Sequence, residues 1–125
     1  MSTGSKSSRR RWLFIQPIRP PTNEPLIDEL TMRMTSALRR ASWPRYTFCG
    51  VHVCMCGAVS APKDGVLGNG AVTNTLCVHY LAYHRAEVPI AELDAVPELP
   101  ASAEVPSPEE LCVPECRRRR EHVNW

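Results

Sequence analysis

The chain has 125 residues, among them 12 prolines, 6 glycines, 6 cysteines and 4 histidines, and its formal charge is +2. This length suits one modest domain, because only 43% of the residues are hydrophobic and 6% are aromatic. The sequence contains no apolar run of about 18 residues, so we expect no membrane-spanning helix and no membrane partner.

The small net charge conceals a segregated charge distribution. Residues 1–48 carry nine Lys or Arg against three acids, a charge of +6, and residues 49–86 carry +1. Residues 87–116 contain eight acids and no base, a charge of −8, whereas residues 117–125 return to +3. The sequence therefore has an acidic stretch next to a basic end.

Residues 1–21 are predicted to form a disordered arm, because a Ser- and Arg-rich start gives way to prolines. The apolar run from Trp12 to Ile15 is shorter than the roughly 7–15 residues of an export signal. We therefore expect a cytoplasmic, reducing location. In such a compartment the cysteines serve as thiols or metal ligands rather than as disulfides.

Residues 24–41 are predicted to form an amphipathic helix. Asn23 is the expected N-cap, and Pro25 suits the first turn. The apolar residues then recur at helical spacing, at Leu26, Ile27, Leu30, Met34 and Leu38. Trp43 and Pro44 end the pattern.

A strand or hairpin arm is predicted over residues 45–56, which are rich in β-branched and aromatic side chains. Four of the six glycines follow within residues 57–72. Turn signals at Asp64-Gly65 and Asn69-Gly70 predict one or two hairpins there.

Two further helices are predicted, one over residues 75–87 and a short one over residues 90–96. Together these elements indicate an α+β domain over residues 22–97. The Pro-rich acidic segment 98–125, which ends in an arginine run, is predicted to be a disordered tail.

The most informative pattern is the alternation of His52, Cys54 and Cys56. On a strand, these three side chains point to one face. The residues that alternate with them are apolar and are expected to line the core: Val51, Val53 and Met55. Gly57 allows a tight turn after the last cysteine, as in knuckle-like metal loops.

A second group of ligand-type residues lies on the predicted helix 75–87. Cys77 and His84 are seven residues apart and share a helical face, two turns from each other. His79 and His84 are five residues apart, the upper end of the spacing between zinc-finger histidines. Because zinc prefers four tetrahedral thiolate or imidazole ligands, we expect a zinc site. The first choice of ligands is Cys54, Cys56, Cys77 and His84, with His79 and His52 in reserve and Cys49 last.

The alternative is that these cysteines are unbound thiols that fill a core, as free cysteines often do. Two observations favour the metal. Seven Cys or His residues fall within 36 positions, and so small a domain needs a metal or another staple for stability. Cys112 and Cys116 form a separate pair in the tail, to which we assign no role.

A Cys-x-Cys-Gly turn, a hairpin and a helix with further ligands are similar in layout to treble-clef zinc domains. This likeness concerns architecture and implies no function. We expect a small, non-catalytic, zinc-binding interaction module with a protein partner. The sequence offers no His-x-Glu or Glu-x-x-His pattern, which disfavours the alternative of a zinc enzyme using His52 or His79 as the acid–base group.

Arginine runs near both ends suggest a third function, nucleic-acid binding through phosphate contacts. The arginines concerned are Arg9, Arg10, Arg11, Arg117, Arg118, Arg119 and Arg120. The simpler interpretation is that these ends are solvated and pair with the acidic stretch.

Overall fold

A computed structural model describes residues 10–43 and 51–114, which contain four α-helices and a two-stranded antiparallel sheet. This agrees with the predicted α+β class. In chain order the elements are α1 (Glu29–Arg39), β1 (Gly65–Val66), β2 (Val72–Thr73), α2 (Cys77–Tyr83), α3 (Ile90–Ala95) and α4 (Pro108–Leu111). Short 3₁₀ turns at Arg85–Glu87 and Val96–Glu98 follow α2 and α3.

Helix α1 is shorter than predicted, and the expected cap at Asn23 was wrong. Asp28 is the N-cap, and its Oδ1 accepts a hydrogen bond from the Thr31 backbone N–H at 3.2 Å. The chain before α1 is extended because its backbone bonds to α2 instead of continuing the helix. The Leu26 N–H donates to the Ala82 carbonyl at 2.8 Å.

The sheet is a small hairpin in which Gly65 pairs with Thr73 and Val66 with Val72. At its turn the Leu67 N–H donates to the Ala71 carbonyl at 2.8 Å. Gly70 has φ +88°, a conformation that favours glycine, so the predicted Asn69-Gly70 turn is confirmed. Single bridges extend the hairpin on both sides, from Ser42 to Val66 and from Arg11 to Val72.

Helix α2 lies at the centre of the core, and all seven of its side chains are buried. It is shorter than the predicted helix 75–87, since it ends at Tyr83 and a 3₁₀ turn follows. The bidentate ion pair of Arg85 with Asp28 joins the end of α2 to the start of α1, with N–O distances of 3.0 and 2.6 Å.

The described part of the expected N-terminal arm, residues 10–21, is packed against the domain. Trp12 is only 1% exposed and Leu13 is fully buried. The Trp12 backbone N–H donates to the Val72 carbonyl at 2.9 Å, and its indole N–H donates to the Glu92 carbonyl at 3.1 Å. This segment therefore differs from the disordered arm expected there, because one tryptophan supplies an anchor.

Residues 98–114 likewise differ from the expected disordered tail. Leu99 and Leu111 are buried, and α4 begins with a capping box between Ser107 and Glu110. The acids of this segment pair with α1, since Arg39 contacts Glu104 at 2.9 Å and Glu110 at 2.7 Å. The domain boundaries at residues 22 and 97 stay a prediction.

Candidate metal centre

The two cysteines of the Cys-x-Cys-Gly sequence lie on a tight turn between residues 53 and 59. The Cys54 N–H donates to the Ala58 carbonyl and the Gly57 N–H to the Cys54 carbonyl, both at 2.8 Å. Gly57 has φ +97°, which only glycine adopts without strain. A bridge between Val53 and Val59 closes the turn, so both thiols leave it close together.

Side chains alternate in this segment, but the face predicted to be buried in the core is the exposed one. Cys54 is buried and Cys56 is half-buried, whereas the three apolar residues predicted to line the core are exposed. Those residues are Val51, Val53 and Met55, and Val53 is the most exposed of them at 64%. The expected core face was wrong, because the thiols rather than the valines turn towards α2.

Two histidines meet the thiols from the side of α2. His79 lies within the helix, and His84 follows its last residue with φ −130°, outside the helical conformation. Their ring centroids are 5.1 Å apart, and both side chains are buried. The end of the helix at Tyr83 therefore brings His84 beside His79.

The four ligand-type atoms of Cys54, Cys56, His79 and His84 all lie within 4.8 Å of one another. The Cys54 Sγ is 3.3 Å from the His84 Nε2, and the Cys56 Sγ is 3.3 Å from the His79 Nε2. In tetrahedral zinc sites, Zn–S bonds of about 2.3 Å and Zn–N bonds of about 2.0–2.1 Å place sulfur and nitrogen about 3.5 Å apart. The arrangement thus fits a single metal ion bound by two thiolates and two imidazoles.

The second ring nitrogens of the two imidazoles have different surroundings. The His79 Nδ1 lies 3.0 Å from the Leu111 carbonyl oxygen, to which it donates when it carries the proton, so the Nε2 lone pair is left for a metal. The His84 Nδ1 is buried without a hydrogen bond among the described residues, and the Glu87 Oε1 is 3.9 Å away. The Glu87 carboxylate is itself held by the backbone N–H groups of Ile18 and Arg19.

The two thiols of the turn titrate as a pair. The hydrogen bond from the Cys56 thiol lowers the pKa of Cys54 to about 7, against the opposing effect of burial. The same interaction raises the pKa of Cys56, and burial raises it further. A thiolate at Cys54 is therefore accessible near neutral pH, which is the form that binds metals.

The structure does not bring Cys77 or His52 into this group of four. Cys77 is fully buried in α2, and burial raises the pKa of its thiol to about 12. The His52 Nε2 lies 3.6 Å from the Asp64 carboxylate, and its ring packs edge-on against Phe14. His79, a reserve ligand in the sequence analysis, occupies the place expected for Cys77.

Several other predicted residues fall elsewhere. Cys49, Cys116, Arg9 and Arg117–Arg120 lie outside the described residues. Cys112 is half-buried at the end of α4, and the four described cysteines form no disulfide. Arg10 forms an ion pair with Glu98 at 3.1 Å, as expected if the basic start pairs with the acidic stretch.

Leu111 and Glu87 are neighbours of the ligands that were not predicted from the sequence. Leu111 contacts His79 through its backbone carbonyl oxygen, a group that every residue has, so its residue type gives no indication of this role. It also lies in a segment expected to be disordered. Glu87 is three residues after His84, a spacing at which a carboxylate often reaches a histidine at a helix end. That spacing could have indicated it.

None of the helices in the two described segments is both long enough and apolar enough to cross a membrane. Comparisons of the chain with protein families, with curated proteins and with solved structures find no match.

Proposed function

We propose that this chain is a small zinc-binding protein in which Cys54, Cys56, His79 and His84 hold a structural ion. The observation that carries the proposal is the convergence of four ligand atoms within 4.8 Å, three of the four residues being fully buried. Chance packing of cysteines in a core does not require two imidazole nitrogens to face two sulfurs. The Leu111 carbonyl beside His79 supports the same conclusion, since metal-binding histidines usually donate their second N–H to such a partner.

Zinc is the metal that best suits this donor set. Two thiolates and two imidazoles in tetrahedral order are a common ligand set of structural zinc sites. Hard cations such as Mg²⁺ and Ca²⁺ prefer oxygen ligands, and none of the four residues offers one. The ion would tie the turn 53–59 to α2, and the treble-clef-like layout expected from the sequence remains part of this proposal.

A structural role is better supported than an open catalytic site. Catalytic zinc keeps one position for water or substrate, whereas here four side chains converge. His79 is unsuited to acid–base work, because its Nε2 faces Cys56 and its Nδ1 faces the Leu111 carbonyl. His52, the other candidate, lies next to Asp64 and outside the group of four.

The exposed apolar residues in and next to the turn 53–59 support a role in protein binding. Val51, Val53, Met55 and Val59 are between 46 and 64% exposed, and we call them the turn patch. Exposed apolar side chains grouped in this way are typical of interaction surfaces. The protein partner expected from the sequence would thus contact the turn that the ion holds in place. Nucleic-acid binding has less support, because Arg10 is engaged with Glu98.

Elemental analysis of the full chain, purified without chelator, tests the metal proposal. We expect one zinc ion per chain, and we expect its removal by a strong chelator to lower the melting temperature sharply. A preparation that is folded yet contains no zinc, iron or other transition metal would refute the proposal.

A further inference from the structure

A second candidate site is a cavity lined by residues within the range 11–16 of the N-terminal segment, by residues 51–53 and by Tyr80. Its volume is about 360 Å³, within the range of small-molecule sites. The described residues that line it include Arg11, Asn74 and His52 but no Asp or Glu. Of these three, His52 has the Asp64 carboxylate 3.6 Å from its Nε2, whereas Arg11 and Asn74 face the cavity without a carboxylate in its lining.

Asn74 is the least expected member of this lining, since it is completely buried. Its Oδ1 accepts a hydrogen bond from the Leu76 N–H at 2.7 Å, just before α2. Its Nδ2 has no hydrogen-bond partner among the described residues. A buried amide that lacks a partner destabilises a fold, so its presence beside a cavity indicates an acceptor that the cavity receives.

Arg11 supplies the charge at the same cavity. Its guanidinium stacks over the Phe14 ring at 3.9 Å, and its backbone is fixed by the bridge to Val72. Among the described residues it forms no ion pair, whereas the neighbouring Arg10 pairs with Glu98. Arg11 is therefore held in place and is available to an anion.

The apolar part of the lining indicates what the rest of a ligand would look like. Phe14, Ile15, Val51 and Val53 contribute apolar side chains to the cavity. A ligand that satisfies both kinds of wall carries an oxyanion at one end and a short carbon body at the other. We propose that the cavity beside Arg11 and Asn74 binds a small organic anion through a carboxylate or phosphate group.

Titration of the folded full chain, as purified, with inorganic phosphate and, separately, with benzoate tests this proposal. Calorimetry measures the affinity, and the side-chain amide resonance of Asn74 in an NMR spectrum reports contact at the site. We expect saturable binding of at least one probe together with a shift of that resonance. The stronger of the two probes distinguishes a phosphate site from a carboxylate site.

Three variants assign the binding to this cavity. Arg11→Gln removes the charge, and Asn74→Asp replaces the donor by a negative group while keeping the oxygen that caps Leu76. We expect each to weaken binding at least about tenfold, because a charge-assisted hydrogen bond is lost or reversed. The matched control, Arg10→Gln, alters the adjacent arginine outside the cavity and should leave the affinity unchanged.

The result is independent of the metal proposal, because zinc content and melting temperature are measured on every variant. The proposal is overturned if neither probe binds saturably to the folded full chain, whatever its zinc content. It is equally overturned if Arg10→Gln weakens binding as much as Arg11→Gln does, since the effect would then reflect overall charge.

Discussion

The turn 53–59 supplies two of the four candidate ligands, and α2 together with the residue that follows it supplies the other two, but the turn and the helix are held in place in different ways. Every side chain of α2 is buried, so packing fixes the helix without help from an ion. The turn has backbone hydrogen bonds of its own, yet its larger apolar residues Val53, Met55 and Val59 face outwards, with Val53 64% exposed. Core packing thus positions the histidines of the site, whereas the position of the cysteines depends on what their thiols bind.

This difference indicates which part of the site a bound ion would stabilise most. Zinc would add little to the position of α2, but it would replace the missing apolar contacts of the turn. The proposed ion and the core would thus be two separate sources of stability, which different substitutions affect one at a time.

Removal of both thiols is expected to have the largest effect. In Cys54→Ser combined with Cys56→Ser the zinc is lost, and structural zinc contributes on the order of 10 kcal/mol in small domains. Hydrogen exchange should show the amides of residues 53–59 becoming fast before those of α2. The control is Cys77→Ala, which removes a buried thiol from α2 and should retain the ion. Equal zinc content in the double variant and the natural chain would contradict the assignment.

A truncation in the core tests the other half of the comparison. Leu81 is fully buried in α2, so Leu81→Ala should lower the free energy of unfolding by about 2–5 kcal/mol. The matched variant Val53→Ala, on the exposed side of the turn, should change it by less than about 0.5 kcal/mol. Urea denaturation of the zinc-loaded proteins measures both values. A large loss from Val53→Ala would show that the turn is buried after all.

Glu87 is expected to act on the metal site from a distance. Its carboxylate lies 3.9 Å from the His84 Nδ1, and loss of such a group lowers zinc affinity by about 10–100-fold. A competition titration with a chelating dye should detect this change in Glu87→Gln. Glu92→Gln is the control, because Glu92 also binds the N-terminal backbone, at Leu13, but is not among the groups near the ligands. An equal loss in both variants would assign the effect to packing of the N-terminal segment.

The ion pair between Arg39 and Glu110 should give the smallest effect, because it is partly exposed and screened by salt. The hydrogen bond from Arg39 lowers the pKa of Glu110 from 4.5 to about 2. The folded state therefore holds the charged carboxylate more strongly than the unfolded chain does. The associated stability is present above pH 4.5 and is lost as the pH falls towards 2. Melting curves of the natural chain and Arg39→Gln should converge over that range, and parallel curves would contradict this account.

The sequence alone could predict the donors of the turn, because alternation in Cys54-Met55-Cys56 puts both thiols on one side. It could not predict which side faces the core. Val53 is as apolar as a core residue, and only the tertiary position of α2 decides that the thiols point inwards. The pattern of residues 69–70 was sufficient for the hairpin turn, because Gly70 adopts the positive φ that such a turn requires.

Cys77 was preferred to His79 as a metal ligand because the predicted helix, residues 75–87, is longer than α2. In a helix running to residue 87, Cys77 and His84 share a face, but the real helix ends at Tyr83 and His84 turns towards His79. The packing of residues 10–21 and 98–114 against the domain could not be predicted from the sequence either. Their composition is typical of disorder, whereas single anchors such as Trp12 and Leu111 are buried against elements distant in the chain.

X-ray absorption at the zinc edge tests the ligand set most directly. If Cys54, Cys56, His79 and His84 bind the ion, the spectrum should fit two sulfur atoms at about 2.3 Å and two nitrogen atoms at about 2.0–2.1 Å, with the outer-shell scattering of two imidazoles. Three sulfurs and one nitrogen would bring in a third cysteine and contradict the structure's grouping. Outer-shell scattering from only one imidazole beside two sulfurs would contradict the closed, structural site.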